Sequence, residues 1–508
     1  SVTSDTRFLA VLSLLLLSIP FLIASFMVLS GSIPFWYDPA RDFLLAWDNL
    51  SKLTLIGPTT GIPGVFYGPY WVWFISLGLL VSRDPRVPIM LVQTIPLTLI
   101  IPFFFMRQKE FSRLSLLSVW LLFMVGYGIN YAAMPWNPQI APVFLILLFF
   151  IIARTEVASS GRSLYKNGLL LGICLGLLMN VHISFGLATV LGTALYFLLC
   201  FVLTDTRLKK RSLLWQSLKK QALFGTCAIG AFLLTFAPFF LFEIRHNFLQ
   251  TKSIVAALLS DHAVVGVKGL TKPDILNQFI DRLAEFLSLP HAIAIGVVLL
   301  LGIVFIKRGK KQTFFSQGGK RIFFYALSIL ASIFTIYLTS KNPIWAYHFI
   351  GVDVLFMFIV LVLIDKSKIA RWLFFIWMIY VLGTFALTFA SGLNRDVLRL
   401  IDLKSKEVIT QMIRDDAGAR EYTVFPYNPA IYSYEYAYLF RSLAHKEVSY
   451  DPGQTPIGSK LSYVLVSSLS DPLQQDFINF RTNNKIYSTT KTWVRPDGTI
   501  ILRREIKP

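Results

Sequence analysis

Cysteine and acidic residues are both scarce in this 508-residue chain. Its three cysteines, Cys174, Cys200 and Cys227, all fall within apolar runs, which excludes a disulfide framework and a C-x-x-C metal site. Asp and Glu number 28 against 48 Lys and Arg, a formal net charge of +20. Such an excess would suit nucleic acid, but most of the basic residues lie in short loops between apolar runs, the positive-inside pattern of membrane proteins.

Long apolar runs are what the sequence has in abundance, with 55% hydrophobic residues and a mean hydropathy of +0.62. Besides the single runs given below, the stretch 168–203 is long enough for a tight hairpin of two helices that turns near Asn180 and His182. These runs predict about eleven transmembrane helices. The first is too long for a signal peptide and is expected to be retained. The single runs lie at about 8–30, 87–106, 114–131, 138–153, 223–242, 291–306, 322–339, 347–364 and 372–391.

The basic loops predict the orientation of the chain. Loops 107–113, 154–166, 207–220, 307–321 and 366–371 are all expected to be cytoplasmic. All five loops fall on the cytoplasmic side only if the run 66–81 does not cross the membrane. This run is therefore expected to dip into or lie on the outer surface. The alternative is a twelfth helix, which would put basic loops on the wrong side. The outer side then receives the long loops 31–86 and 243–290.

After residue 392 the apolar density stops, and 392–508 is predicted to be a small α/β domain outside the membrane. Strand-like alternation occurs at 463–467, 485–495 and 499–503, and helical patterns at 395–416 and 429–444. Residues 1–391 form the predicted membrane domain. Two of its outer segments, 39–50 and 273–287, have an apolar stripe at helical spacing. They either lie in the lipid interface or pack on the helix bundle.

The most informative polar group follows the first helix, where Asp38, Arg41 and Asp42 are placed on one face of a helix. Ionisable residues beside lipid are functional candidates by default. Asp38 precedes Pro39, so it is also a plausible helix N-cap. The two interpretations are compatible, because a fixed cap also positions a base.

Other polar residues recur near predicted helix ends on the same side. Asn137 is either a helix cap or part of a cavity, and His182 is either a packing residue or a ligand. Arg245 and His246 are suited to bind a phosphate, with Glu243 holding Arg245, although an interfacial cluster is the alternative. The full set of further candidates is Tyr67, Asn137, His182, Glu243, Arg245, His246, Lys341, Tyr347 and His348.

A carboxylate and several cations around one outward-facing cavity suit a substrate that carries a lipid-linked phosphate. Sugar transfer from such a lipid needs a base for the acceptor hydroxyl and positive charge at the departing phosphate. A transporter or flippase would also need polar groups in the membrane, but these clusters lie on one side and no internal repeat is evident. A scaffold with a partner-binding C-terminal domain is the other alternative. Tyrosines 427, 432, 434, 436 and 438 could serve it, recognise a sugar, or pack a helix.

Over residues 1–390 the chain resembles the bacterial GT-C glycosyltransferases of the family 39-like group, which includes lipid A aminoarabinose transferases and protein O-mannosyltransferases. That family has an acidic-x-x-Arg motif after its first helix, as Asp38-Pro39-Ala40-Arg41 is here. Two features depart from the family: Asn137-Pro138 stands where it has a second carboxylate before proline, and Gly68-Pro69 where some relatives have lysine before proline. The first departure leaves Asp38 as the main candidate base.

The resemblance implies a GT-C fold with about eleven membrane helices, located in the plasma (inner) membrane. It implies inverting transfer of a sugar from a polyprenyl-phosphate donor to a glycan, lipid or protein acceptor outside the cytoplasm. Asp38 would be the base, with Arg41 or Asp42 orienting either Asp38 or the sugar. Arg245, His246, Lys341 and His348 would hold the phosphate, and 242–251 and Tyr347-His348 look like the family's phosphate-contacting elements. No cofactor is expected. Asp38 and Asp42 together could hold a divalent metal, but no ligand cluster demands one, and activity that is insensitive to EDTA would exclude it.

Overall fold

A computed structural model gives the fold. It describes residues 4–106, 111–155, 161–205, 211–259, 269–297, 299, 303, 317–340, 343–391, 403–428, 432–446, 448 and 458–508. Lys341 lies outside this set.

Within the described residues, seven helices are long and apolar enough to cross a bilayer, and an eighth candidate is a pair bent by 47°. The hairpin forms as predicted, because one helix ends at Val181 and the next begins at Ile183. The predicted run 87–106 is a series of short helical segments, and 291–306 is described only in part. The number eleven therefore stays a prediction. The seven helices are Arg113–Ala133, Asn137–Arg154, Arg162–Val181, Ile183–Phe201, Gln317–Thr339, Ala346–Ile364 and Lys368–Phe389; the bent pair is Lys219–Thr235 with Ala237–Arg245.

Shorter helices follow the first helix, Ser4–Ser30, in the chain. Tyr37–Asn49, which we call the site helix, is followed by Tyr70–Val81 and then by the segments from Arg86 to Met106. Helix Tyr70–Val81 has 12 residues, about 18 Å at 1.5 Å per residue, against about 30 Å of hydrocarbon. It is too short to cross, which agrees with the orientation drawn from the basic loops.

Both amphipathic segments pack on the protein. On the site helix Phe43 and Ala46 are completely buried, and on Lys272–Leu287 so is Phe286, with Leu283 and Leu287 nearly so. The sequence left open whether the apolar stripes lie in the lipid interface or pack on the helix bundle. The buried residues of both helices pack on the protein. Helices Leu249–Leu259 and Lys272–Leu287 together form the described part of the second long loop.

The C-terminal region forms a four-stranded mixed sheet in the order β1-β2-β4-β3. The strands are β1 (Thr423–Pro426), β2 (Leu461–Val466), β3 (Tyr487–Val494) and β4 (Ile500–Ile506). β1 runs parallel to β2, and the other pairs are antiparallel. Helices Leu403–Ala417, Tyr434–Leu443 and Pro472–Arg481 accompany the sheet. This confirms the predicted α/β character of the region.

The small domain is docked directly on the site helix. Tyr438, completely buried, packs edge-on against Phe35, Phe43 and Trp47, each with ring centroids 5.6 Å away. Arg86 donates two hydrogen bonds to the Glu407 carboxylate, of 2.5 and 2.6 Å. Apolar burial and a charge-assisted pair thus hold the two parts in one arrangement.

Candidate functional site

The site begins where the chain leaves the first helix and enters the site helix. Trp36, Tyr37 and Asp38 are all partly exposed, and the helix starts at Tyr37 with Trp36 as its N-cap residue. The expectation that Asp38 caps this helix is therefore wrong. The Asp38 carboxylate instead faces Arg41 one turn later, with 3.0 Å between Oδ1 and Nη1.

Arg41 lies between two carboxylates. Its Nη2 and Nε donate to Oδ1 of Asp42 at 2.8 and 3.0 Å, while Nη1 reaches Asp38. The other oxygen of Asp42 accepts a hydrogen bond of 2.9 Å from the indole of Trp71. The Asp42 side chain is completely buried, that of Arg41 is 15% exposed and that of Asp38 30% exposed. Asp42 is thus fixed from both sides, whereas Asp38 is the carboxylate that a substrate can reach.

Burial makes the ionised form of Asp42 costly. It raises the pKa of the Asp42 carboxyl to about 6, against the opposing effects of the Arg41 cation and of hydrogen bonds from Arg41 and Trp71. Asp38 contributes a further raising effect as a second negative charge nearby. The buried Asp42 carboxylate orients Arg41, which in turn contacts Asp38.

Tyr67 approaches the same carboxylates from the loop before the short helix. This loop is held by backbone hydrogen bonds from Gly57 to Tyr67 and from Gly68 to Asn180, of 2.8 and 3.0 Å. Burial raises the pKa of the Tyr67 hydroxyl, the nearby Tyr347 raises it further, and Arg41 lowers it. A Cβ on Gly68 would collide with the Asn180 side chain, so this close approach requires glycine.

Aromatic and histidine side chains from the ends of candidate membrane-spanning helices form a wall that continues from Trp36, close to Asp38. The rings of Trp36 and Trp136 are 5.8 Å apart, and those of Trp136 and Tyr347 are 5.4 Å apart. The Tyr347 hydroxyl lies near enough to Asp38 for the two groups to interact electrostatically. His182 Nε2 lies 3.2 Å from the Tyr347 carbonyl, and its ring is 6.2 Å from that of His348. The structure therefore brings together residues from four distant parts of the chain.

Asn137 supports this wall from behind. It is buried, and its side-chain amide donates a 2.8 Å hydrogen bond to the carbonyl of Val181, next to the hairpin turn. It begins the 3₁₀ turn Asn137–Ile140, whose N-cap position is taken by Trp136. The side chain is thus used to fasten two helix ends together, and helix capping does not explain it.

The basic segment after the bent helix lies beside the Tyr67 loop. Phe66 donates a backbone hydrogen bond of 2.8 Å to the Gln250 side chain, and its ring is 5.9 Å from that of Phe242. Arg245 is exposed and, within the described residues, forms no ion pair. His246 stacks on Phe242 with centroids 4.0 Å apart. This segment therefore adjoins the loop that carries Tyr67.

Glu243 has a different use from the one expected. Its carboxylate accepts hydrogen bonds of 2.9 Å from the backbone N–H groups of Gln250 and Thr251, and one of 2.5 Å from the Thr251 hydroxyl. These N–H groups belong to the first turn of helix Leu249–Leu259. The carboxylate therefore satisfies the start of that helix, and the expectation that it holds Arg245 is wrong.

Two groups near the site escaped the sequence analysis. Arg282, on helix Lys272–Leu287, lies 4.5 Å above the Tyr127 ring and donates a 3.3 Å hydrogen bond to the carbonyl of Ala346, directly before Tyr347. Asp353 is completely buried and accepts a 2.7 Å hydrogen bond from the Tyr131 hydroxyl. A carboxylate in an otherwise apolar run was the available signal for Asp353.

Within the described residues, this site coincides neither with a cluster of metal-ligating side chains nor with the apolar cavity near the basic loops. Within the described part of the chain, no three His, Cys, Asp or Glu side chains are grouped to hold a metal ion. A cavity of about 990 Å³ lies near the basic loops, lined mainly by apolar residues with Lys220 and Arg321 among them. It shares no residue with the site around Asp38.

Comparison of the structure with solved proteins decides the fold. ArnT from Cupriavidus metallidurans in the apo state aligns with a TM-score of 0.63 and 11% identity over 98% of each chain. The chain has the GT-C fold. The same ArnT bound to undecaprenyl phosphate gives 0.60 and 11% identity, over 96% of this chain and 97% of ArnT. The Archaeoglobus fulgidus oligosaccharyltransferase aligns at 0.45 with 14% identity, over 96% and 72%. No protein-family model and no curated protein matches the sequence.

The raised pKa of Asp42 predicts a pH-dependent stability. Between its ordinary value of 3.8 and about 6, the folded chain binds a proton that the unfolded chain has released. The free energy of unfolding should therefore fall as the pH rises through this interval and level off above it, by about 3 kcal/mol in all. Thermal unfolding of wild type and Asp42→Asn at pH 5 and pH 7.5 measures this. The variant should lose less stability than wild type over that range, and equal losses would contradict the assignment.

Proposed function

We propose that this protein is an inverting glycosyltransferase that moves a sugar from a polyprenyl-phosphate donor to an acceptor hydroxyl. The observation that carries the proposal is the partly exposed carboxylate of Asp38, held by Arg41, with Asp42 and Trp71 fixed behind it. This is the arrangement that a general base requires: an accessible oxygen on a rigid support. The ArnT-like fold supports lipid-linked chemistry, since that ArnT was crystallised with undecaprenyl phosphate.

The proposed reaction is a single displacement. An Asp38 oxygen accepts the proton of the acceptor hydroxyl while the acceptor oxygen bonds to the anomeric carbon of the sugar. The bond from that carbon to the donor phosphate oxygen breaks, and its electron pair leaves with the polyprenyl phosphate. Attack opposite to the leaving group inverts the anomeric centre. Arg41 orients Asp38 through the 3.0 Å contact between Nη1 and Oδ1.

The developing charge on the phosphate needs cations or hydrogen-bond donors. Arg245 and His246 suit this role because they are exposed at the end of a membrane helix, beside the loop that carries Tyr67. His348, next to Tyr347 in the aromatic wall, supplies a further nitrogen. Lys341 is assigned here from its position in the sequence alone.

The proposed location follows from the multi-pass fold and the distribution of charge. The site lies at the ends of helices opposite to the basic loops, which the positive-inside rule assigns to the cytoplasm. We therefore place the site and the C-terminal domain on the extracytoplasmic side of the plasma membrane. A donor carried by the outer leaflet would reach Asp38 without leaving the bilayer.

Removing the base should abolish transfer while the fold persists. Asp38→Asn keeps the size and polarity of the side chain but cannot take the proton, so turnover should fall by about 10²–10⁴-fold. The measurement is release of polyprenyl phosphate from a radiolabelled polyprenyl-phosphate sugar by purified protein. Asp48→Asn is the matched control, because Asp48 is an exposed carboxylate on the same helix. Near-normal turnover by Asp38→Asn would remove Asp38 from this role.

Arg245 should act on the donor rather than on the acceptor. Arg245→Gln should raise the KM for the polyprenyl-phosphate sugar by about tenfold or more, the scale of one charge-assisted hydrogen bond, and Arg245→Lys should recover part of the loss. Lys252→Gln serves as the control, since Lys252 is another exposed cation a short distance along the chain. An unchanged donor KM in Arg245→Gln would show that the phosphate binds elsewhere.

A further inference from the structure

The small domain places two tyrosines beside the proposed base. The Tyr434 ring lies 4.9 Å from that of Tyr37, and the Tyr432 ring lies 6.5 Å from it. Tyr432 and Tyr434 are 5.6 Å apart, with their planes inclined by 32°. Tyr37 directly precedes Asp38, and the Arg41 guanidinium is 5.8 Å from the Tyr37 ring. We call Tyr37, Tyr432 and Tyr434 the tyrosine platform.

The platform tyrosines differ in accessibility from the tyrosine that is buried where the small domain docks. Tyr438, one of the residues that dock the domain, is completely buried and donates a 2.7 Å hydrogen bond to the carbonyl of Arg83. All three platform residues, in contrast, are only partly buried. Three accessible aromatic rings next to a reactive carboxylate, supplied by two parts of the chain, form a surface on which a ligand can rest.

The position of the platform indicates which ligand. The Trp136–Tyr347 wall, which Trp36 joins to the start of the site helix, comes from the ends of candidate membrane-spanning helices. The tyrosine platform, in contrast, takes two of its rings from the small domain. A lipid-linked donor arrives from the bilayer, so the wall formed by membrane helices is the part of the site that it meets first. The acceptor must present its hydroxyl to the same carboxylate from another direction, and the platform borders that direction.

We propose that the tyrosine platform is the acceptor subsite and that it binds a sugar ring of a carbohydrate-bearing acceptor. Tyrosine offers a broad apolar face and a polar hydroxyl, so it can pack against the C–H face of a sugar while it hydrogen-bonds to its hydroxyls. The assignment of the sugar as acceptor depends on the glycosyltransferase function proposed above. The existence of a sugar-binding surface does not, and the two can be tested separately.

The first test measures binding without turnover. Full-length protein in lipid nanodiscs is mixed with methyl glycosides of glucose, galactose and mannose, and saturation-transfer NMR detects contact with their ring protons. Wild type should give a signal with at least one glycoside, Tyr432→Ala combined with Tyr434→Ala should lose it, and Tyr434→Phe should keep most of it. Tyr427→Ala is the control, because Tyr427 lies in the same domain and packs on Phe477. No signal in wild type, or the same signal in the double variant, overturns the subsite.

The second test uses the same variants with a radiolabelled polyprenyl-phosphate sugar and the glycoside that binds. The double variant should raise the KM for the glycoside at least tenfold, while the KM for the donor and the slow release of its sugar to water stay at wild-type values. Equal losses for donor and acceptor overturn the acceptor assignment. Glycoside binding that depends on the platform, without any donor consumption by wild type, contradicts the proposed enzyme function and leaves the sugar-binding surface standing.

Discussion

The two-sided contact of Arg41 with Asp38 and Asp42 is the interaction on which the site depends. A guanidinium shared between carboxylates has to be fixed on one side if it is to orient the other. Asp42 provides that fixed side, because it is fully buried and its second oxygen is taken by the indole of Trp71. The accessible carboxylate of Asp38 thereby gains a defined orientation.

The small domain belongs to the same structural unit as this contact. Tyr438 fills the apolar side of the site helix, and Glu407 neutralises Arg86 at the start of the segment that follows the short helix. The helix that presents Asp38 is therefore covered on one face by residues more than three hundred positions away in sequence. This apolar packing, together with the Arg86–Glu407 pair, holds the site helix and the rings of the small domain in one arrangement.

Periodicity and charge predicted many of the elements, since both are local properties of the chain. The hairpin at His182 and the strands near 463 and 500 follow from such patterns, whereas strand Thr423–Pro426 and helix Pro472–Arg481 were not predicted. The grouping of Asp38, Arg41 and Asp42 was equally accessible, because helical spacing alone brings them together. The GT-C fold itself was expected from the motif after the first helix, and the comparison with ArnT agrees with that expectation.

What the sequence could not supply are partners that depend on tertiary packing. Trp71 and Arg282 reach their contacts across long separations, and no local pattern distinguishes them from other aromatic or basic residues. Glu243 was assigned to its neighbour Arg245 because proximity in sequence was the only guide. In the folded chain, the Glu243 carboxylate instead accepts hydrogen bonds from backbone N–H groups in the first turn of helix Leu249–Leu259.

The length of helix Tyr70–Val81 has a consequence for how the site responds to its surroundings. Trp71, which anchors Asp42, lies in the first turn of a helix that ends well short of a full bilayer crossing. Its depth is set by side-chain packing against the site helix and not by matching two lipid headgroup layers. The geometry around Asp38 should accordingly be insensitive to hydrophobic mismatch, and bilayers of short or long acyl chains should leave it unchanged.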